Sequence, residues 1–174
     1  MGGSHDTELI VTDWAEAERV MEAERIAAVF ADENSTTVAE FEEILDQAEF
    51  EVPDVPSDEA PAFISQASWY GVNQLEVGVA GLVYALNAVG IVTAASCRGH
   101  SEAHRRWANG PIVVFASNEP RARALAELVV ASGCGFDINT ADHPDLLAVT
   151  APSITEMMGL ADQIRAHADA FSRS

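Results

Sequence analysis

The chain has 174 residues, of which 48% are hydrophobic and 21% charged, and its formal net charge is −19. A chain of this length and apolar content can bury the core of one ordinary domain, with room for an appendage. The negative charge disfavours direct binding of nucleic acids and anionic membranes, which carry the same sign of charge, and it favours basic partners.

The sequence predicts neither a secretory signal nor a membrane-spanning segment. The first residues lack a basic segment followed by an apolar one, so the sequence predicts no secretory signal. The longest apolar stretch, residues 77–89, is shorter than the ~20 residues that span a bilayer. The two cysteines do not indicate a disulfide framework. We therefore expect a cytoplasmic protein that does not contact membranes.

The acidic residues are concentrated in the first sixty positions, which hold eighteen Asp and Glu against two Arg. A cap at Thr12 or Asp13 predicts a helix to about residue 31, and a capping box from Thr37 to Glu40 begins a second. Three prolines then favour extended backbone. We interpret the chain as an acidic helical arm at 1–50, a linker at 51–61 and an α+β domain at 62–174.

The remaining residues alternate helical and strand patterns. In chain order we predict a helix at 72–89, strands at 91–97 and 111–115, a helix at 121–132, strands at 136–140 and 146–150, and a closing helix at 153–170. A shift of 43 residues superposes Gly90 on Gly133, which indicates a duplicated helix-strand-strand unit, with chance alignment as the alternative. The expected fold is α+β, with a four-stranded, largely antiparallel sheet and helices on one face.

The loop of the first predicted hairpin, residues 96–107, is longer than a hairpin requires, and long loops in compact domains often carry function. Gly99 permits a positive φ, which would turn Cys97 and His100 to the same side. The spacing of Cys97, His100 and His104 suits zinc, since thiolate and imidazole are its usual ligands. The fourth ligand would be Cys134, His143 or water.

Two other chemistries fit the same loop. Cys97 could act as a catalytic nucleophile with His100, if Arg98 and a protonated His100 favour its thiolate. Alternatively, guanidinium groups and backbone amides could bind a small anionic ligand, with Arg98, Gly99, Arg105 and Arg106 as its binding residues. The acidic arm could equally neutralise these arginines. The structural alternative is a buried Cys97 below a solvated hairpin tip.

Residues 86–139 resemble the tRNA wybutosine-synthesis methyltransferase family, in which a helix leads into a strand ending in Ser-Cys-x-Gly. Ser96, Cys97 and Gly99 match that pattern, whereas His100 stands where the family has arginine. The resemblance implies an ancestry in RNA modification, with S-adenosylmethionine as cosubstrate. The acidic arm is unlike a surface that binds tRNA.

From these patterns we expect a small acidic binding protein that engages a basic protein surface or a small anionic ligand. A ligand or metal site would lie at the Cys97–His100 loop. The alternatives are an enzyme, either of the tRNA-modification type or zinc-dependent, that acts on a small or nucleotide-like anion, and an acidic mimic of nucleic acid.

Overall fold

A computed structural model of the chain describes residues 13–48, 75–99, 110–137 and 146–172. The predicted linker at 51–61 lies outside these ranges. The helices are α1 (Trp14–Glu33), α2 (Val38–Gln47), α3 (Ala80–Ala88), α4 (Glu119–Ala131), α5 (Ile154–Ala166) and α6 (Asp169–Ser172), and the strands are β1 (Val92–Cys97), β2 (Ile112–Ala116), β3 (Gly135–Asp137) and β4 (Leu147–Thr150). Within the described ranges, no helix is long and apolar enough to cross a bilayer.

The predicted helix starts of the arm are confirmed in most respects. The Asp13 side chain accepts a hydrogen bond from the Glu16 amide at 2.9 Å, and the Thr37 hydroxyl accepts one from the Glu40 amide at 3.1 Å. The Glu40 carboxylate reaches back to the Thr36 amide at 2.9 Å, one residue earlier than the predicted capping box requires. Side chains of the arm thus satisfy amides that a helix leaves without partners.

Helix α3 is shorter than the sequence predicts, because it begins at Ala80 and not at Val72. Residues 77–79 form a turn, and Gly78 in it has a φ of +110°. This left-handed geometry is incompatible with a continuous α-helix. The apolar periodicity from 77 to 89 continues across the turn, since both segments face the core.

The four strands form the predicted antiparallel sheet, in the order β1-β2-β4-β3. The alternate residues Val113, Phe115 and Val149 are fully buried and pack in the main core with apolar residues of the helices. Phe115 also meets Phe136 edge to face, with 6.1 Å between the ring centroids. The α+β fold class predicted from the sequence is confirmed.

The strand pairings support the duplication. Val92 pairs with Ala116 in the first hairpin, and Gly135 pairs with Thr150 in the second, which are the positions related by shifts of 43 and 34 residues. Gly90 and Gly133 follow their helices with φ of +83° and +78°. The next amide along the chain bonds to the helix in the same way in both units, Ile91 to the Leu86 carbonyl and Cys134 to the Val129 carbonyl.

Both helices of the arm pack against the α+β part. On α1, Ala17 and Val20 are buried with Ala80 and Tyr84 of α3, and Met21 joins the main core. On α2, Leu45 is buried with Ala31 and Val77. Full burial of one such aliphatic side chain stabilises a fold by about 1.5–3 kcal/mol.

Ion pairs add to this docking at the edge of α1. Arg165 of α5 pairs with Glu18 and stacks over the Trp14 ring, with its guanidinium carbon 4.8 Å from the ring centroid. Arg25 lies 3.4 Å from the Asp162 carboxylate, also on α5. These pairs are half-exposed, so each contributes little to stability, but together they fix the position of α1 along α5.

Candidate functional site

The end of β1 holds the residues that the sequence singles out, beginning with Cys97. The thiol is half-buried, and its Sγ lies 3.4 Å from the Gly99 amide, which points its hydrogen at the sulfur. Burial raises the pKa of Cys97 and the nearby Glu76 carboxylate raises it further, whereas the hydrogen bond from the Gly99 amide and, more weakly, the charge of Arg98 oppose the rise. The surroundings therefore favour the thiol over the thiolate, which is the weaker state for nucleophilic catalysis.

Arg98 points inward and not into the loop. Its side chain is 4% exposed, and its guanidinium pairs with Asp46 of α2 and lies 3.6 Å from the Glu76 carboxylate. It also approaches the Val77 carbonyl at 3.5 Å, while the Arg98 amide donates to Glu76 at 3.1 Å. A carboxylate of the arm therefore neutralises this arginine, as one of the sequence alternatives proposed.

Gly99 adopts the positive φ that the sequence predicts, at +86°. A Cβ at this position would lie 2.7 Å from the Gly110 carbonyl carbon and 2.8 Å from its oxygen, closer than real Cβ contacts. A Cβ on Gly110 would in turn lie 2.7 Å from the Ala151 carbonyl oxygen. Three backbone segments thus meet at the base of the loop, and glycine is required there on two grounds.

The predicted metal ligands are not brought together where the structure describes them. His100 and His104 lie outside the described residues, as do Arg105, Arg106 and the alternative ligand His143. Cys97 pairs with Ile112, Ile112 with Thr150, and Thr150 with Gly135, the neighbour of Cys134.

The two cysteines therefore lie at opposite edges of the sheet, about 14 Å apart from three strand spacings. This exceeds the separation of two sulfurs on one zinc ion. Burial, followed by the charge of Glu156, raises the pKa of Cys134 to about 11. No group of three metal-ligating side chains occurs within the part of the chain that is described.

Glu24 is the most unusual side chain near this site, and sequence reasoning missed it. It extends from α1 with 1% exposure, and its Oε2 accepts hydrogen bonds from the Gly78 amide at 2.8 Å and the Gly81 amide at 3.1 Å. These amides lie at the start of α3, where the N-cap Val79 has no side-chain acceptor. A carboxylate at a helix N-terminus interacts favourably with the helix dipole.

The close approach of Glu24 depends on Gly81, since a Cβ there would lie 2.6 Å from Glu24 Oε1. Burial raises the pKa of Glu24 from its ordinary 4.5 to about 7, although the amide hydrogen bonds oppose the shift. Asp162 adds a smaller increase. One signal was available in the sequence, because Glu24 occupies the apolar helical face marked by Ala17, Val20, Met21 and Ala31.

Glu24 and Arg98 bind neighbouring backbone groups at the start of α3, Glu24 at Gly78 and Gly81 and Arg98 at Val77. We name these two residues and the carboxylates paired with Arg98 the arm anchor: Glu24, Asp46, Glu76 and Arg98. Glu24 comes from α1 and Asp46 from α2, so each arm helix contributes one carboxylate. The other two residues flank α3 and β1. The arm anchor holds the arm in place and leaves most of the other carboxylates of the arm exposed.

Comparisons with known proteins give no relative: no family model, no curated protein and no solved structure matches this chain. The resemblance to the tRNA wybutosine-synthesis methyltransferase family therefore stays a prediction.

Proposed function

We propose that the protein acts by binding, and that the outer surface of its docked arm engages a basic protein surface. The observation that carries the proposal is that some carboxylates of the arm contact the rest of the fold while most of the others are exposed. Glu24 and Asp46 belong to the arm anchor and Glu18 pairs with Arg165 of α5. An exposed set covers the outside of the arm: Glu22, Asp32, Glu33, Glu40 and Glu43.

The geometry supports binding in preference to catalysis. The described residues 13–48 hold eleven Asp and Glu against two Arg. Arg25 pairs with Glu22 and with Asp162 of α5, and Arg19 is exposed, so the two arginines offset only a small part of the acidic charge of the arm. A charged surface held in a fixed position steers an oppositely charged partner and loses little entropy on binding.

An enzymatic role has less support from these residues. The Cys97 thiol has a raised pKa and Arg98 is bound to the carboxylates of its own chain. The ligand or zinc site proposed at the Cys97–His100 loop remains a prediction, as does use of S-adenosylmethionine. The cytoplasm is the proposed setting, since both cysteines are free thiols.

The test is binding of a short Ser/Lys peptide at low and high salt, measured by calorimetry. A variant with Glu33→Gln and Glu43→Gln should bind the peptide several-fold more weakly, because each exposed pair contributes roughly 0.2–1 kcal/mol. The control variant, Glu119→Gln with Glu127→Gln on α4, has the same net charge and should match the wild type.

Two further measurements separate the alternatives. Cys97→Ala should leave peptide binding unchanged, since the thiol is half-buried at the end of β1 and does not belong to the arm. An acidic mimic of nucleic acid would compete with DNA for a DNA-binding protein, and that competition would weaken with salt. Equal binding by the arm variant and the α4 variant would refute the proposal, because the charge would then act without regard to its location.

A further inference from the structure

The outer face of α1 carries an apolar patch that the described structure leaves uncovered. Ile26 is 61% exposed, Val29 51% and Phe30 56%. Their spacing of i, i+3 and i+4 places the three side chains together on one face of the helix. We name this group the outer patch: Ile26, Val29 and Phe30.

Helix α1 is therefore apolar on two opposite faces. Ala17, Val20 and Met21 occupy the face that packs against α3 and the core. A helix with one polar face is typical of a protein surface, whereas a helix with apolar residues on both sides is normally covered on both. Exposed apolar clusters with polar surroundings commonly mark sites where another protein binds.

Carboxylates continue the outer face beyond the outer patch at both ends. Glu22, which pairs with Arg25, lies one turn before Ile26, and Glu33 lies one turn after Val29; both are exposed. Interfaces typically join an apolar centre to a polar rim. A ligand that fits this arrangement has apolar side chains in its middle and basic groups around them.

Charge disfavours several of the occupants that could cover such a patch. A second copy of the chain would bring equal acidic rims face to face, which costs energy at a net charge of −19. Among the chain's own segments outside the described ranges, 1–12 and 49–74 carry seven Asp and Glu and no Lys or Arg, whereas 100–109 carries two Arg and one Glu, so the experiment below tests coverage by the chain itself. An anionic lipid surface would be repelled by the same carboxylates.

We infer that the outer patch docks the apolar face of a basic amphipathic helix from another protein. This inference rests on the proposed function and adds to it the shape and the apolar content of the partner. A narrow row of three side chains on one helix matches the single row that an amphipathic helix presents, in the recognised mode of a helix that binds through its apolar face.

The experiment compares two peptides of equal charge and length on the full chain. One is a Leu/Lys peptide with leucines at helical spacing, and the other is the Ser/Lys peptide used above. The wild type should bind the Leu/Lys peptide at least ~10-fold more tightly, given the transfer free energy of buried aliphatic and aromatic side chains. A variant with Ile26→Ser and Phe30→Ser should lose this preference and keep its binding of the Ser/Lys peptide.

Val130→Ser is the matched control, because Val130 is 76% exposed on α4, outside the arm. It should keep the preference for the Leu/Lys peptide. The serine variants remove exposed side chains, so an unfolding midpoint equal to that of the wild type confirms that the fold is intact. Loss of the preference in the Val130 variant as well would overturn the inference.

Other occupants give different results. A dimer in sedimentation that Phe30→Ser dissociates would show that a second copy covers the outer patch. A monomer in which the Phe30→Cys thiol reacts much more slowly than the Val130→Cys thiol would show that the chain covers it itself. Either result overturns the inference and leaves the proposed function standing, whereas failure of both lysine peptides to bind would remove the proposed function.

Discussion

The two helix-strand-strand units share a register and a way of ending their helices, but their helices begin differently. The Asn118 side chain accepts from the Arg121 amide at 2.9 Å and caps α4 from within its own unit. The start of α3 has no such residue, and Glu24 of α1 supplies the acceptor. The second unit caps its own helix, whereas the first unit depends on the arm.

This difference indicates why the arm docks where it does. The first unit also contains Arg98, whose guanidinium is neutralised by Asp46 of the arm and by Glu76. In an isolated first unit, the amides of Gly78 and Gly81 would lose their Glu24 acceptor, and Arg98 would lose its Asp46 partner. The arm therefore stabilises the first unit as well as presenting an acidic surface.

The largest expected effect comes from removing the buried guanidinium. Arg98→Ala leaves Glu76 and Asp46 without their cation and opens a cavity, so we expect a loss of about 3 kcal/mol in the free energy of unfolding, since both carboxylates keep some access to water. Urea denaturation measures the loss. Arg123→Ala breaks an exposed pair with Glu119 and should cost less than ~0.5 kcal/mol. Equal losses in the two variants would show that the buried ion pairs of Arg98 contribute no more to the free energy of unfolding than the exposed pair of Arg123.

Next in size is the pH dependence that Glu24 confers. Because the folded pKa is raised from 4.5 to about 7, the carboxyl of Glu24 favours the folded state below pH 4.5, and this contribution is lost as the pH rises through about 7. Glu24→Gln imitates the protonated acid, can keep an oxygen acceptor for the Gly78 and Gly81 amides, and does not titrate.

We therefore expect Glu24→Gln to stabilise the protein by about 3 kcal/mol at pH 8, because the pKa rises from 4.5 to about 7 and each pKa unit corresponds to about 1.36 kcal/mol. Its stability should equal that of the wild type near pH 4. Unfolding midpoints across that range measure the difference, with Glu127→Gln as a control that should follow the wild type. A constant difference between Glu24→Gln and the wild type at every pH would mean that Glu24 titrates normally in the fold.

Smaller effects are expected from alanine substitutions at two glycines with similar backbone geometry. Gly99 and Gly133 both have positive φ, but a Cβ on Gly133 would meet only the Glu156 side chain, at 3.6 Å. Gly133→Ala should cost about 1 kcal/mol, from the left-handed backbone alone. Gly99→Ala should cost about 2 kcal/mol or more, because its methyl group also collides with the Gly110 backbone. Similar losses in thermal unfolding would show that the loop base can widen freely.

Local patterns in the sequence predicted most of the fold. Caps, glycines and apolar periodicity placed the strands and most helices, because these signals act over a few residues. The predicted start of α3 was wrong, since the turn at Gly78 shares the apolar pattern of the helix that follows.

The arm anchor could not be predicted, because it joins residues that are far apart in sequence, such as Asp46 and Arg98, through tertiary packing. Arg98 illustrates this limit. From the sequence, the guanidinium of Arg98 could bind either an external anion or a carboxylate of the protein's own arm. Only the docking of α2, which brings Asp46 to Arg98, favours the carboxylate of the arm. The raised pKa of Cys97 has the same origin, since burial and Glu76 both depend on the fold.

The smallest effect is expected in the second helix-strand-strand unit, where Asn118 caps α4. Asn118→Ala removes the side-chain acceptor at the start of α4, where the Arg121 amide would lose its partner, and should cost about 1 kcal/mol. Unlike the cap from Glu24, an amide cap carries no titratable group, so the loss should be the same at pH 4.5 and at pH 8. A double variant, Asn118→Ala with Glu24→Gln, should show additive changes in urea denaturation, because the two caps lie on different helices and share no partner. A strong departure from additivity would mean that the two units do not cap their helices independently, and the contrast between them would be lost.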